Sequence, residues 1–362
     1  MISYRRGKVI EILKTYPGCT EIKVLTDSSQ HRAINYDFFT GNIKPGDEVL
    51  LNTTAGLLGL GSGGYHFVVS VERNSKALLK RHSPTFPGHI MKLRYTPWQF
   101  AVMTMEEENS PYHQLFRDFK SLGKMPVIIG ELHSMLLPAA FNIKRQNSAL
   151  KIGYIMTDGG ALPASYSRNI AFLKENNLIE GTVTLGQAFG GDFEAVNIYT
   201  ALIGARAVLK ADIAIVTMGP GITGTGTKYG FSGIEQGYII DAVNTLGGHP
   251  VFIPRISFND KRPRHYGISH HSLTILQEIA HTPATVVLPK LDPDKDRYIQ
   301  EQIKTHQLDR KHQVKVVSDQ RKVLTNIRHF PFKLTTMGRN LDQDREFFLT
   351  AGSAGYYSAT MV

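Results

Sequence analysis

The chain has 362 residues, a length that suggests two or three domains on a prior of about 150 residues each. With 42% hydrophobic and 20% charged residues, it has the composition of a soluble globular protein and lies outside the disordered class. A single cysteine, Cys19, excludes an intrachain disulfide and a thiolate metal cluster, and the formal charge of +10 suits anionic partners.

That charge has two readings. Nucleic acid, nucleotides and acidic surfaces would all be attracted to it, yet Lys and Arg are scattered along the chain, as on a generally basic surface. The start, "MISYRRGKVIEIL", lacks an apolar core of signal-peptide length. No run approaches the roughly 18 apolar residues of a membrane span. A cytoplasmic protein without a membrane partner is expected.

The first eighty residues read as β. "GKVIEIL", "EIKVLTD", "HRAINYD", "DEVLLNTT" and "YHFVVSVER" are short runs rich in Val, Ile, Thr and Tyr. Turn chemistry separates them at Pro17-Gly18, Asp27-Ser28-Ser29 and Pro45-Gly46-Asp47. Five strands at this spacing predict a small β-barrel, SH3-like or OB-like, over residues 1–82. "AGLLGLGSGGY" would be a loop before its last strand. Residues 83–98, with Pro84, Pro87 and Pro97, read as a linker.

From residue 99 apolar runs alternate with helix-length amphipathic segments: "FAVMTM", "PVIIG", "KIGYIM", "TVTL", "DIAIVTM", "PVFIP", "ATVVLP" and "VKVVS". Strands without in–out alternation are those covered by helices on both faces. Strand–helix alternation then predicts parallel pairing through right-handed crossovers: a doubly wound, Rossmann-like α/β domain over residues 99–328. The apolar tail, residues 329–362, is expected to pack on that domain or on a second subunit of a homo-oligomer.

In such a sheet, ligands bind where the loops leave the carboxyl ends of the strands. The stretch "MGPGITGTGTKYGFSGIEQG" lies at such an end. Gly219, Gly221 and Gly224 satisfy G-x-G-x-x-G literally, but irregular chain follows where the dinucleotide motif opens into a helix. Gly221 to Lys228 approaches a P-loop, with Thr227 and Lys228 in reversed order. Ser232 to Glu235 has the form of a capping box, which would start a helix at Ser232. Free amides at that helix start, Thr225 and the glycines Gly224 and Gly226, and the charge of Lys228 would together hold an anion. The alternative is a glycine-rich connection that only turns the chain.

Other loops would share this edge. Asp158 and Gly159 follow "KIGYIM", where Asp158 would bind a ribose hydroxyl or a metal, or shape an Asx-turn. Asp192 reads as a helix N-cap. Glu131 and His133 end the strand "PVIIG", as a functional pair or as a hydrogen-bonded structural histidine. In "RISFNDKRPRHYGISHHSL", Arg255 and Arg264 would neutralise a phosphate or carboxylate. Ser269 reads as an N-cap that places His270 and His271 in the first turn, where the helix dipole keeps imidazole neutral. His133, His265 and His270 are the acid–base candidates. A metal cluster of His265, His270 and His271 with Asp158 or His133 stands as an alternative to a solvated basic loop, because spacing alone does not give zinc geometry. No G-x-S-x-G or H-E-x-x-H motif is present.

"GGYHFVV", "PGHIMKLRYTPWQ", "ELHSML", "MTDGGALP", "MGPGITGTGT", "GFSGIEQG" and "TTMGRNLDQDREFFLTAGSAG" together resemble a bacterial family, catalogued in Gram-positive bacteria as a domain of unknown function. The resemblance spans most of the chain and implies an intracellular bacterial protein. It carries no activity, cofactor or catalytic residue. The residues themselves favour a phosphate-bearing small molecule, nucleotide-like, as ligand or substrate, and leave open whether the protein is an enzyme. The alternative is a nucleic-acid or ribosome-associated protein that binds through the barrel.

Overall fold

In a computed structural model, residues 2–27, 29–59, 64–74, 88–331 and 333–362 are described. The chain divides into two compact units. One holds residues 1–87 and 93–101, the other residues 88–92 and 102–362. The proposed linker residues Pro84 and Pro87 lie outside the described residues, as does part of the "AGLLGLGSGGY" loop.

The first unit is a closed barrel of five strands: β1 (Tyr4–Tyr16), β2 (Cys19–Thr26), β3 (Ser29–Tyr36), β4 (Glu48–Asn52) and β5 (Tyr65–Val71), in the order β1-β2-β3-β5-β4. The long β1 closes it by pairing antiparallel with β4 through Tyr4–Lys8 and with β2 from Lys8 onward. Gly7 sits at this change of partner, where a Cβ would come within 3.0 Å of the Leu51 side chain. Glycine therefore lets the strand bend over the core. β3 and β5 pair in parallel, so the barrel is a Greek key rather than a meander, which agrees with the OB-like alternative. Val9, Ile22, Val24, Ala33, Val49, Leu51, Val68 and Val71 fill the interior. Cys19 is buried at the start of β2.

The second unit is built on eight parallel strands: β6 (Pro126–Gly130), β7 (Ile152–Thr157), β8 (Gly181–Leu185), β9 (Phe193–Ala195), β10 (Ile213–Met218), β11 (His249–Ile253), β12 (Thr285–Pro289) and β13 (Gln313–Val317). Their order is β9-β8-β7-β10-β6-β11-β12-β13. Every residue of β6, β7 and β10 is buried, the consequence of helices on both sides of a sheet. Helices α1 (Leu136–Gln146), α2 (Gln320–Arg328) and α3 (Arg345–Ala359) pack together against the sheet, and α4 (Ile198–Ala207) and α5 (Glu235–Thr245) form a second packed pair against it. The apolar tail is thus the helix α3, laid on this unit's own sheet.

Three local expectations are corrected. "FAVMTM" gives only the short strand Phe100–Val102, outside the large sheet. The edge strand β9 was not foreseen; three residues are too few to show a period. Asp192 caps no helix. It accepts from the Thr182 amide and hydroxyl and pairs with Lys174, tying the β8–β9 turn together.

The segment 88–92 belongs with the sheet unit for a visible reason. Lys92 is fully buried, and its Nζ donates to the Gly186 and Ala188 carbonyls at 2.8 and 2.9 Å. It also pairs with Glu194 at 3.0 Å. A buried ammonium is tolerable only with its donors satisfied and its charge matched, as here.

Candidate functional site

The sheet has a switch point at its centre. After β6 the chain turns towards β7, and after the adjacent β11 it turns towards β12. In open α/β sheets, connections that diverge in this way mark the edge at which ligands bind. Glu131 follows β6, Arg255 follows β11, and His265, His270 and His271 lie further along the β11–β12 connection.

These residues meet. Glu131 is fully buried, and its Oε1 lies 2.5 Å from His271 Nδ1. A carboxylate oxygen only accepts, so Nδ1 carries the proton of this contact and Nε2 is the ring nitrogen left outside it. Phe231 lies flat on the His271 ring, with centroids 3.9 Å apart and planes 1° from parallel. Arg255 Nη1 stands 3.9 Å from Glu131 Oε1, and its Nη2 reaches Asp260 at 3.4 Å. Asp260 also binds Arg262 at 2.7 Å, and that guanidinium holds its carboxyl far below the usual range. Arg339 bridges Asp260 to Asp344. Arg255 and Arg262 are thereby committed to structural pairs, and the exposed Arg264 makes no ion pair among the described residues.

Ser269 caps the short helix α6 (His270–Thr274), its Oγ accepting from the His271 amide. The same Oγ lies 2.7 Å from His265 Nδ1. Burial, with the Arg255 and Arg262 charges adding to it, pushes His265 down to about 3. Burial, then His271 and Arg264, pushes His270 down to about 4. Both rings are neutral at pH 7. The coordinating atoms of His265, His270 and His271 lie within 4.8 Å of one another.

The glycine loop borders this cluster but differs in detail from its expected form. It is an exposed hairpin, bridged between Gly224 and Phe231. The Thr225 amide donates to the Gly230 carbonyl at 2.8 Å and the Thr223 amide to Ser232 Oγ at 3.0 Å. These amides are not available to a ligand. Thr225 and Thr227 hydroxyls bond each other, and Lys228 pairs with Glu278 at 2.5 Å. The capping box does not form. Ser232 begins a 3₁₀ turn over Ser232–Ile234, and Glu235 bonds the Thr157 hydroxyl instead. Burial raises the Glu235 carboxyl against that bond. Gly224 nonetheless has a role: a Cβ there would lie 3.5 Å from His271 Nε2. A Cβ on Gly226 would lie 3.7 Å from the Arg264 guanidinium. At Gly233 it would press on Glu131 Cγ at 2.6 Å. Gly219 packs beside Met156, and Gly221, at φ 108°, turns the chain in open space.

Asp158 accepts from the Ala161 amide in its own loop at 3.1 Å and from the Gln187 amide of the neighbouring loop at 2.7 Å, and Gly159 packs against Met218. His133 stands apart, with Nδ1 3.2 Å from the Met218 carbonyl and 3.1 Å from the Tyr154 hydroxyl. Its Nε2 meets Ser167 Oγ at 2.5 Å. The sequence names His133, His265 and His270 as acid–base candidates and His265, His270 and His271 as a metal cluster; the fold gathers the latter three, leaves His133 apart and gives His271 the partner Glu131. A carboxylate ending a buried strand was a signal, but its partner lies 140 residues away in sequence. Two open recesses, of about 260 Å³ beside Leu276 and His306 and about 350 Å³ beside His31 and His66, are lined by other residues.

The family description "Protein of unknown function (DUF3866)" matches residues 32–355. The chain belongs to that family. The match contains Glu131, Phe231, Arg255 and all three clustered histidines, so the whole site lies inside the family domain. No match was found among curated proteins. Among the described residues, no helix is long and apolar enough to cross a membrane.

Proposed function

We propose that this protein binds a phosphate-bearing small molecule of the nucleotide kind at the carboxyl edge of its parallel sheet, and acts on it as an enzyme. The observation that carries this reading is the buried Glu131–His271 pair at the switch point. Placing a carboxylate and an imidazole out of water is costly, and such arrangements concentrate where chemistry needs a fixed lone pair. His271 Nε2 is aimed by Glu131 and kept approachable by Gly224. Arg264, exposed beside Gly226, supplies the positive charge for an anionic ligand. The charge centre is therefore Arg264, in place of Lys228 and the Thr225 amide.

The test is a thermal-shift screen of nucleotides, sugar phosphates and dinucleotides. A ligand at about 100 times its Kd should stabilise the fold by roughly 2.7 kcal/mol. Arg264→Ala and Gly224→Val should each abolish the shift. A panel without hits, or hits indifferent to both changes, defeats the reading.

A second reading rests on the barrel unit. Phe38 is 58% exposed and Trp98 40% exposed, and they cluster with Phe39 and Phe100. Exposed rings on a basic OB-like unit suit stacking on single-stranded nucleic acid.

A further inference from the structure

Three imidazoles in van der Waals range, each with a nitrogen turned to the others, are an unusual use of a protein interior. Ring centroids are 5.0 Å apart for His265 and His270, 5.1 Å for His265 and His271, and 4.3 Å for His270 and His271. His270 Nε2 is buried without a hydrogen-bond partner among the described residues, and so is Glu131 Oε2. Orphaned polar atoms of this kind need an occupant, since each costs about 1–3 kcal/mol when left unsatisfied.

We propose that His265, His270 and His271 bind one divalent transition-metal ion of the zinc class, with Glu131 orienting His271 from behind and a fourth position left open beside Gly224. The pattern of Glu131 is the one that metal-binding histidines show: the far ring nitrogen donates to a carboxylate, which fixes the tautomer and raises the basicity of the near one. Ser269 serves His265 in the same way through Nδ1, leaving Nε2 to the ion. Three protein nitrogens with one free position is the catalytic class of zinc site rather than the closed structural class.

Arg255, Arg262 and Arg339 are paired with Glu131, Asp260 and Asp344, whereas Arg264 makes no ion pair among the described residues. Arg264 at the mouth would instead meet an anion on the open position. The inference rests on the same edge being the functional site, but its atoms are separate from those of the anion contact. The ligand nitrogens stand up to 4.8 Å apart, so the rings close slightly around an ion through small χ rotations.

The test uses the full chain stripped with a chelator and titrated with Zn²⁺ or Co²⁺ alone, without any organic ligand. One ion per chain should bind, with the visible absorption of tetrahedral Co²⁺. His270→Ala and His271→Ala should each abolish saturable binding, with circular dichroism confirming that the fold is kept. Glu131→Gln should weaken it about 10- to 100-fold while keeping the stoichiometry. Because Glu131 and His271 are buried, the more exposed His270→Ala remains decisive if the others fail to fold. No saturable binding, or wild-type affinity in folded His270→Ala, overturns the proposal. A chain that binds neither Zn²⁺ nor Co²⁺ but still shifts with nucleotides would sink only the metal, and a chain that binds the ion but is indifferent to every phosphate compound would sink only the ligand.

Discussion

His133 shows how a single side chain reports its surroundings. Its partners, Met218 carbonyl, Tyr154 hydroxyl and Ser167 hydroxyl, are all neutral. Burial therefore goes unopposed by any carboxylate and pushes the ring from 6.5 down to about 4. A histidine protonated in the unfolded chain but not in the folded one withdraws stability as the pH falls. The contribution is complete above 6.5 and is lost as the pH drops towards 4. In that window unfolding free energy should fall by up to about 1.4 kcal/mol per pH unit on account of His133. Urea titrations from pH 7 to 4 measure it. His133→Gln should flatten this part of the slope, and an unchanged slope would refute the assignment.

At the scale of elements, the tail helix α3 repays its small residues with close contact. The stretch "LTAGSAG" places Gly352 and Gly355 against α1, where a Cβ on Gly352 would meet Asn142 Nδ2 at 2.8 Å. A Cβ on Gly355 would collide with the Ala139 carbonyl oxygen, which is backbone and cannot swing aside. Glycine lowers helix propensity by about 1 kcal/mol, and the helix keeps it because the packing requires it. Gly355→Ala should then destabilise the sheet unit by about 1–3 kcal/mol in chemical denaturation, against the propensity gain. A neutral or stabilising effect would mean that the two helices do not approach this closely.

The glycine hairpin illustrates the converse. Gly224, Gly226 and Thr225 are the residue types of a phosphate loop, but the hairpin closes on itself through Thr225 to Gly230. Composition gives the chain freedom to approach a ligand, and it equally gives freedom to turn. Only the pairing of the amides distinguishes the two.

The whole molecule carries a charge of +10 on two compact units, and the exposed ring cluster of Phe38 and Trp98 belongs to the barrel unit. If that unit binds single strands, gel-shift affinity should fall steeply with salt, as counterion release requires. Phe38→Ala with Trp98→Ala should lower it further at constant salt, by about 1–3 kcal/mol per stacked base. Salt-independent affinity, or affinity indifferent to both rings, would remove nucleic acid as a partner of the barrel.

The sequence by itself determined the two architectures. Five β-rich runs separated by turn residues became the barrel, and seven of the eight apolar runs beyond residue 99 became strands of the sheet, because these patterns are local and express burial directly. It also named the histidine-rich connection and the glycine loop as neighbours of the carboxyl edge. Tertiary structure alone decided that Glu131 would hold His271, that His133 would stand apart, and that Lys228 would be spent on Glu278. Those outcomes depend on which nitrogen meets which oxygen across 140 or 50 residues of chain. Strand order and loop closure set such meetings, and no local propensity encodes them.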